Sequence, residues 1–206
     1  MKDKEYKFPL DIMIYDIETT GQWPFQDYSY ISEFACVILD ATTLEVKDAL
    51  HTYVKVPEDV YENASEEIKK LHKDRWDIYL GKVDPPKNRV IIKQKQLVPL
   101  LKAKFGDKFA TSQYKMIAWN ESFDFSWLMY YFFKYGEGDL FSKMTYKRAD
   151  LKSYFEAAFI LNGNEGLNIN SSKAYSMFEI GDVSHDALED CLNEAKIFKG
   201  FCNLLR

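Results

Sequence analysis

The composition of the chain is that of a globular domain, which excludes several other classes of protein. With 206 residues, 47% of them hydrophobic and 29% charged, it can bury a core of its own, and residues 1–206 are expected to form a single domain. No apolar stretch approaches the roughly 20 residues of a membrane span, and no apolar signal region follows the charged N-terminus, so we expect a cytoplasmic protein without a membrane partner. The net charge of −5 argues against a protein that coats nucleic acid by charge alone, but not against an enzyme that acts on nucleic acid.

The first half of the chain is patterned like a series of strands and then changes to helical spacing. An apolar run from 12 to 17 predicts a strand buried on both faces, and the loop 21–25 ends it. Ser65 and the acidic residues that follow it are typical of a helix start. Strands are predicted at 12–17, 30–39 and 51–56, and helices at 64–73 and 93–105.

In the second half, short strands alternate with helices. Asn120 or Ser122 can cap one helix, and Asp150 can cap the next. Strands are predicted at 116–119 and 146–149, helices at 125–133, 151–161 and 188–205, and a loop at 162–166. The chain thus begins with consecutive strands and continues with alternating strands and helices. This order predicts an α/β domain with three layers and a mixed sheet.

Two acidic residues stand at the end of the first apolar strand. Because side chains alternate along a strand, Asp16 and Glu18 point to the side shared by Ile12 and Ile14. Two carboxylates at the rim of a buried strand raise each other's pKa and resist loss of water. A divalent cation resolves this conflict, because oxygen ligands suit Mg²⁺ or Mn²⁺. The pattern predicts a metal site at the mouth of the sheet.

A second acidic element follows the strand at 116–119. Asp124 falls in the first turn of the next helix, where an acidic side chain usually complements the helix dipole. Taken alone, this position is therefore weak evidence for a metal ligand.

A third acidic element begins the last helix. Asp186 as the cap and Glu189 three residues later form the pattern of a capping box. This assignment puts His185 just before the cap and Asp190 at the fourth helical position, and residues at those two positions meet across a helix start. A titratable imidazole is thus predicted beside a carboxylate.

Together these three segments resemble the ordered motifs of the DnaQ-like 3′→5′ exonucleases. The segments are Asp16-Ile17-Glu18-Thr19-Thr20-Gly21, then Asn120 to Asp124, then His185 to Asp190. The third motif, with Asp five residues after His, is similar to that of the DEDDh subgroup. The resemblance extends from Asp11 to about Phe198 and implies a ribonuclease H-like fold, a central mixed sheet flanked by helices.

The resemblance also implies an activity and roles for individual residues. Asp16, Glu18, Asp124 and Asp190 match the carboxylates that bind two divalent cations, Mg²⁺ or Mn²⁺, and His185 matches the general base. The implied reaction is hydrolysis at the 3′ end of single-stranded DNA or RNA, which releases nucleoside 5′-monophosphates. Asp150 resembles a recurrent Asp after a strand, and we give it a structural or supporting role only.

Several residues are candidates for substrate binding. Backbone groups around Thr19 and Thr20 could close a pocket behind a 3′ end. Trp23 and Phe25 could stack on terminal bases, or one or both could pack on the sheet. In the second motif the candidates are Asn120 and Phe123, although Trp119 stands where many family members have His.

Other interpretations remain open from the sequence. A non-catalytic nucleic-acid-binding module or polymerase-associated subunit could have the same fold, but this chain retains every metal-ligand position. A dinucleotide enzyme is disfavoured, because no GxGxxG follows the first strand. The basic segment 82–108 is a solvated helix face or a phosphate-steering surface, and aromatic residues in 127–135 cover a core or form an interface. A polymerase or homodimer partner, and the choice between DNA and RNA, are not determined.

Overall fold

A six-stranded sheet forms the centre of the computed structural model, which describes residues 6–144, 147–161, 170–180 and 184–204. Its strands are β1 (Asp11–Thr19), β2 (Ile31–Leu39), β3 (Val46–Lys55), β4 (Ile91–Lys93), β5 (Tyr114–Ala118) and β6 (Arg148–Asp150). Their order across the sheet is β4-β3-β2-β1-β5-β6. The strands β1, β2 and β3 pair antiparallel, whereas β4, β5 and β6 each pair parallel with their neighbour. The predicted mixed sheet is thus confirmed.

Helices cover both faces of this sheet. They are α1 (Val60–Asn63), α2 (Glu66–Leu71), α3 (Trp76–Tyr79), α4 (Leu97–Ala110), α5 (Glu121–Lys134), α6 (Gly138–Met144), α7 (Leu151–Leu161), α8 (Ser171–Met177) and α9 (Ala187–Leu204). One face packs against α4, α5 and α6, and the other against α7, α8 and α9. The fold is therefore the predicted three-layer α/β domain. Within the described part of the chain, no helix is both long and apolar enough to cross a bilayer.

Strand β1 lies at the centre of the sheet and contacts both helical layers. Met13, Tyr15 and Ile17 point into the core under α4 and α5. Ile12 and Ile14 point into the core under α9, so Asp16 and Glu18 continue the α9 side of the strand. Because β5 runs parallel to β1, its end and the start of α5 reach the same edge of the sheet.

The structure corrects several predicted boundaries. The helix predicted at 93–105 is preceded by β4 and a 3-10 turn and begins only at Leu97. Pro99 is compatible with it, because it falls in the first turn, where backbone N–H groups have no intrahelical acceptor. The strand predicted at 51–56 begins earlier, at Val46. The loop predicted at 162–166 lies outside the described residues.

Two open interpretations are also decided by the packing. Trp127 and Tyr131 are buried in the core and Tyr130 and Tyr135 pack against it, so these four residues cover a core, whereas Phe133 is exposed. The basic segment 82–108 is not one helix face, because it runs through a loop, β4, a turn and part of α4. Three of its basic side chains are paired with acids: Arg89 with Asp186, Lys102 with Glu137 and Lys104 with Asp48.

Candidate active site

An open cleft of about 240 Å³ lies at the edge of the sheet where β1 ends. The predicted residues that line it are Asp16, Glu18, Asn120, Phe123, Asp124, His185 and Asp190. Residues that were not predicted also line it: Ser171, Tyr175 and Glu194, together with Ile17 and Trp119. The structure thus brings the three sequence motifs together around one cavity.

Four elements supply the carboxylates and the imidazole, and hydrogen bonds fix two of the carboxylates. Asp124, in the first turn of α5, accepts a hydrogen bond from the backbone N–H of Ile17 at 3.0 Å. The turn from β5 into α5 is sharp because Asn120 has a left-handed backbone, with φ of 59°. Asp190, in the first turn of α9, accepts from the Tyr175 hydroxyl at 3.2 Å and from the Ser184 hydroxyl at 3.3 Å.

His185 lies close to two of these carboxylates. Single ligand atoms of Glu18, His185 and Asp190 all lie within 4.8 Å of one another. The His185 Nδ1 atom is 3.9 Å from Glu18 Oε1, and the His185 side chain is 45% exposed to solvent. The imidazole therefore stands at the open side of the cleft, beside the acids.

The carboxylates are strongly coupled by their negative charges. Burial, and next the charge of Asp190, raise the pKa of Asp16 well above its usual value. Burial and the charge of Asp16 do the same to the pKa of Glu18 and of Asp124. Burial also raises the pKa of Asp190, against hydrogen bonds that lower it. Buried oxygen ligands beside an imidazole fit a hard divalent cation, which would remove this repulsion.

A buried polar cluster lies behind the cleft. Glu33 pairs with Glu18 across β1 and β2 and is fully buried. Its carboxylate accepts from the Tyr79 hydroxyl at 2.5 Å, and it lies 3.1 Å from His51 Nε2 and 3.5 Å from Arg75 Nε. Ligand atoms of Glu33, His51 and Asp186 lie within 4.8 Å of one another, as in a metal site. Arg75 and the Arg89–Asp186 pair already supply positive charge there, so this second cluster is a structural network.

Two residues of this region were missed by the sequence analysis although they hold parts of the cleft. Arg75 donates to the backbone carbonyl of His185 at 2.5 Å and to that of Ser184 at 3.4 Å. His72 Nε2 lies 3.1 Å from the carbonyl oxygen of Thr19 and 3.8 Å from Glu18 Oε2. No local pattern marks either residue, because each partner lies far away in the chain.

The predicted caps at Asp186 and Asp150 are found, whereas Asn120 stands at the cap position of α5 without a side-chain cap hydrogen bond. Asp186 caps α9 and accepts from the backbone N–H of Glu189 at 3.1 Å, as the capping-box pattern predicts. In a full capping box, the Glu189 side chain would accept a hydrogen bond from the backbone N–H of Asp186. Here that N–H donates instead to the Ser184 hydroxyl at 3.1 Å. Asp150 accepts from the backbone N–H of Ser153 at 3.2 Å at the start of α7, and it does not line the cleft.

The predicted substrate-binding residues fall into two groups. Asn120 and Phe123 line the cleft, whereas Trp23 and Phe25 do not and lie in the loop after β1. Trp23 and Phe25 are 49% and 75% exposed and stack on each other at 6.3 Å between ring centroids. Neither ring belongs to the hydrophobic clusters of the described residues, so packing on the sheet is not observed.

The backbone at Thr19 and Thr20 takes part in hydrogen bonds within the fold. The N–H of Thr20 donates to Tyr30 at 2.9 Å, and the Thr20 hydroxyl donates to the carbonyl of Tyr28 at 2.9 Å. The carbonyl of Thr19 contacts His72. These groups hold the loop between β1 and β2 in place, and a role of Thr19 and Thr20 in closing a pocket behind a 3′ end stays a prediction.

Comparisons with known proteins agree with this architecture. The RNase_T family model, described as Exonuclease, matches residues 13–78. No curated protein sequence matches the chain. Among solved structures, cell-death related nuclease 4 has a TM-score of 0.65 at 16% identity, covering 97% of this chain and 66% of that one.

Two bacterial exonuclease I structures are similar as well. Escherichia coli exonuclease I in complex with a dA16 oligonucleotide has a TM-score of 0.64 at 18% identity, over 95% of this chain and 43% of that one. The moderately thermophilic exonuclease I from Methylocaldum szegediense has a TM-score of 0.65 at 17% identity, over 96% of this chain and 41% of that one. This chain thus spans about two thirds of the first nuclease and less than half of both exonuclease I chains. The shared fold and the exonuclease match over residues 13–78 confirm the resemblance to the DnaQ-like exonucleases.

Proposed function

We propose that this protein is a metal-dependent 3′→5′ exonuclease that hydrolyses phosphodiester bonds at the 3′ end of single-stranded DNA or RNA and releases nucleoside 5′-monophosphates. The observation that carries the proposal is the convergence of four carboxylates and one histidine, from three separate motifs, on one cleft. The 3′→5′ polarity comes from the resemblance to the DnaQ-like exonucleases. The similarity to an exonuclease I in complex with a dA16 oligonucleotide supports a single-stranded substrate.

The four carboxylates would hold the cations. In this proposal Asp16, Glu18, Asp124 and Asp190 bind two divalent cations, Mg²⁺ or Mn²⁺. When bound, such cations stabilise negative charge on the phosphate in the transition state and make the attacking water more acidic. Without cations, the same carboxylates repel a polyanion, so tight binding of nucleic acid should require metal.

His185 would act as the general base. Its partly exposed ring can reach a water molecule at the open side of the cleft and accept a proton from it. Glu18, 3.9 Å from His185 Nδ1, would favour the protonated ring after it has accepted the proton. Asn120 and Phe123, on the α5 side of the cleft, would contact the terminal nucleotide.

The first experiment is a gel time course on single-stranded DNA and RNA of the same sequence, labelled at the 5′ end, with Mg²⁺, Mn²⁺ or EDTA. We expect a metal-dependent ladder that shortens from the 3′ end, and the faster substrate identifies the preferred nucleic acid. Asp16→Asn should abolish the ladder, because it removes a charge at the centre of the carboxylate cluster while the side chain keeps its shape.

The matched control is Asp107→Asn, which removes the same charge from an exposed position on α4. It should degrade both strands at the wild-type rate. Full activity of Asp16→Asn would overturn the assignment of the site. Binding of oligonucleotide in Mn²⁺ without turnover would favour the alternative of a non-catalytic binding module.

A further inference from the structure

A fifth carboxylate lies in the cleft. Glu194 follows Asp190 by one turn of α9, so the two side chains share a face of the helix. It lines the cleft, yet it is only 4% exposed. Its Oε2 atom is fully buried and has no hydrogen-bond partner among the described residues.

The other buried glutamates near the sheet differ from Glu194 in their partners. Glu33 is surrounded by Tyr79, His51 and Arg75. Glu121 pairs with Arg148 at 2.7 Å. Glu194 accepts a hydrogen bond from the backbone of Trp119, which opposes the rise in its pKa caused by burial, but its Oε2 atom has no partner among the described residues. A buried carboxylate oxygen that loses its hydration without gaining a partner is costly.

The charges around Glu194 increase this cost. The groups with the strongest charge effect on Glu194 are Asp16, Asp124 and Asp190, all of them acidic. Burial and these charges together raise its pKa well above the usual value. The fold therefore places an unpaired carboxylate oxygen among the residues that are proposed to bind cations.

We propose that Glu194 is an additional cation-binding residue. Its carboxylate contacts a bound divalent cation directly or through an ordered water. The inference rests on the proposed metal site, and it extends that site to a residue outside the three motifs. In this role the unpaired oxygen gains a partner when the cation binds. Glu194 then contributes to cation affinity, whereas in the metal-free protein its Oε2 atom has no partner among the described residues.

The test compares Glu194→Gln with wild type in two measurements that need no nucleic acid. Titration calorimetry with Mn²⁺ should show at least about tenfold weaker binding in Glu194→Gln. Thermal unfolding in EDTA should show a variant as stable as wild type or more stable, because a buried unpaired charge has been removed. Glu189→Gln, on the exposed side of α9, is the matched control and should equal wild type in both measurements.

The outcomes separate this inference from the proposed function. Equal Mn²⁺ affinity in a folded Glu194→Gln protein would overturn the role of Glu194 alone. If Glu194→Gln loses as much stability relative to wild type in EDTA as in Mn²⁺, the inference is also overturned. Glu194 would then stabilise the fold whether or not a cation is bound. Absence of Mn²⁺ binding by wild type would overturn the proposed metal site itself. If Glu194→Gln does not fold, Glu194→Asp, which keeps the charge but shortens the side chain, must bind Mn²⁺ more weakly than wild type.

Discussion

At the scale of single residues, the backbone of His185 has to be held in an unusual conformation. Its φ of 54° lies in the left-handed region, which costs a non-glycine residue about 1–3 kcal/mol unless its surroundings enforce it. Arg75 provides this constraint through its bonds to the carbonyls of His185 and Ser184. Glu33, 3.5 Å from Arg75 Nε, holds the guanidinium in turn. Arg75 is therefore a positioning residue for the imidazole.

Replacement of Arg75 should reduce turnover without weakening substrate binding. Arg75→Met removes both bonds to the loop, and we expect kcat to fall about tenfold to hundredfold with little change in KM, because the imidazole loses its alignment. Arg75→Lys should restore only part of the rate, since lysine lacks the planar fork of donors. Steady-state kinetics on a 5′-labelled oligonucleotide, with a melting curve for each variant, checks this.

A control variant separates the loss of two hydrogen bonds from the loss of one positive charge. Lys70→Met removes a cation from an exposed position on α2 and should leave kcat unchanged. Unchanged kcat in a folded Arg75→Met protein would show that His185 is held by other contacts.

The residues in and around the cleft that could be predicted from the sequence differ from those that could not in how far their signal extends along the chain. Asp16, Asp124 and His185 each stand at the boundary of a patterned element, and a boundary carboxylate or imidazole is visible in the local sequence. Arg75 is 110 residues away from His185, and no local periodicity encodes that contact. Glu194 occupies a buried position of α9, where an acid in place of an apolar residue was a signal that could have been noticed.

At the scale of elements, long patterned segments were predictable and short ones were not. β1, β2, α5, α7 and α9 each have enough residues to show a period, and their predicted positions agree with the structure. The helices α1 and α3 have four residues each and β4 has three, so their place depends on contacts with the rest of the fold. Trp76 and Tyr79, for example, are buried with Tyr53 of β3 in a separate small core.

The loop between β1 and β2 presents two exposed aromatic rings beside the sheet edge. Trp23 and Phe25 stack nearly parallel, with 13° between their planes, and are accessible to a base. Stacking of a base on an aromatic side chain is worth about 1–3 kcal/mol. Trp23→Ala and Phe25→Ala should each weaken binding of single-stranded oligonucleotide by about 5- to 150-fold, as measured by fluorescence anisotropy in the Asp16→Asn background, where no turnover is expected.

Phe133→Ala is the control for exposed aromatic surface in general. Phe133 is 63% exposed on α5 and does not line the cleft, so its removal should leave the affinity unchanged. If all three variants bind with wild-type affinity, the loop of Trp23 and Phe25 has no part in substrate binding.

At the scale of the whole molecule, the carboxylate cluster should make the metal-free protein less stable as the pH rises. The pKa values of Asp16, Glu18, Asp124 and Glu194 are raised by burial and by like charges. The folded protein then keeps protons that the unfolded chain releases near pH 4, so stability falls as the pH rises through the raised values.

Two other sets of groups act in the opposite direction. The pKa of His72 is lowered by burial, so its contribution rises with pH around its unfolded pKa of about 6.5. The pKa values of Asp48 and Asp186 are lowered, despite partial burial, by bonds to Lys104 and Arg89, and the stability that they contribute is lost only in acid. Because His72 is present in wild type and in the variant, the difference between the two proteins over pH 5 to pH 8 reports the carboxylate cluster.

In EDTA at pH 8, Asp16→Asn should melt about 2–8 °C above wild type, which corresponds to about 1–2 kcal/mol in a protein of this size. The difference should shrink as the pH falls toward 5, because the raised pKa values let the cluster of the wild-type protein take up protons. Saturating Mg²⁺ should reverse the order at pH 8, because only wild type keeps the full ligand set. Scanning calorimetry at both pH values checks this, with Asp107→Asn expected to follow wild type. A difference that does not change with pH would contradict this account of the cluster.

The position of α9 in the chain has a consequence for synthesis. This helix brings Asp190 and Glu194 to acids that belong to β1 and α5, and its own apolar side covers the centre of the sheet. A ribosome delivers β1 and α5 long before α9, so the growing polypeptide passes through a stage in which the sheet is available but the cleft is incomplete. A chain that is released early, or cut ahead of residue 187, lacks Asp190 and Glu194 and so carries three of the five carboxylates that line the cleft. The hydrolytic capacity that we propose is thus withheld until α9 has been made.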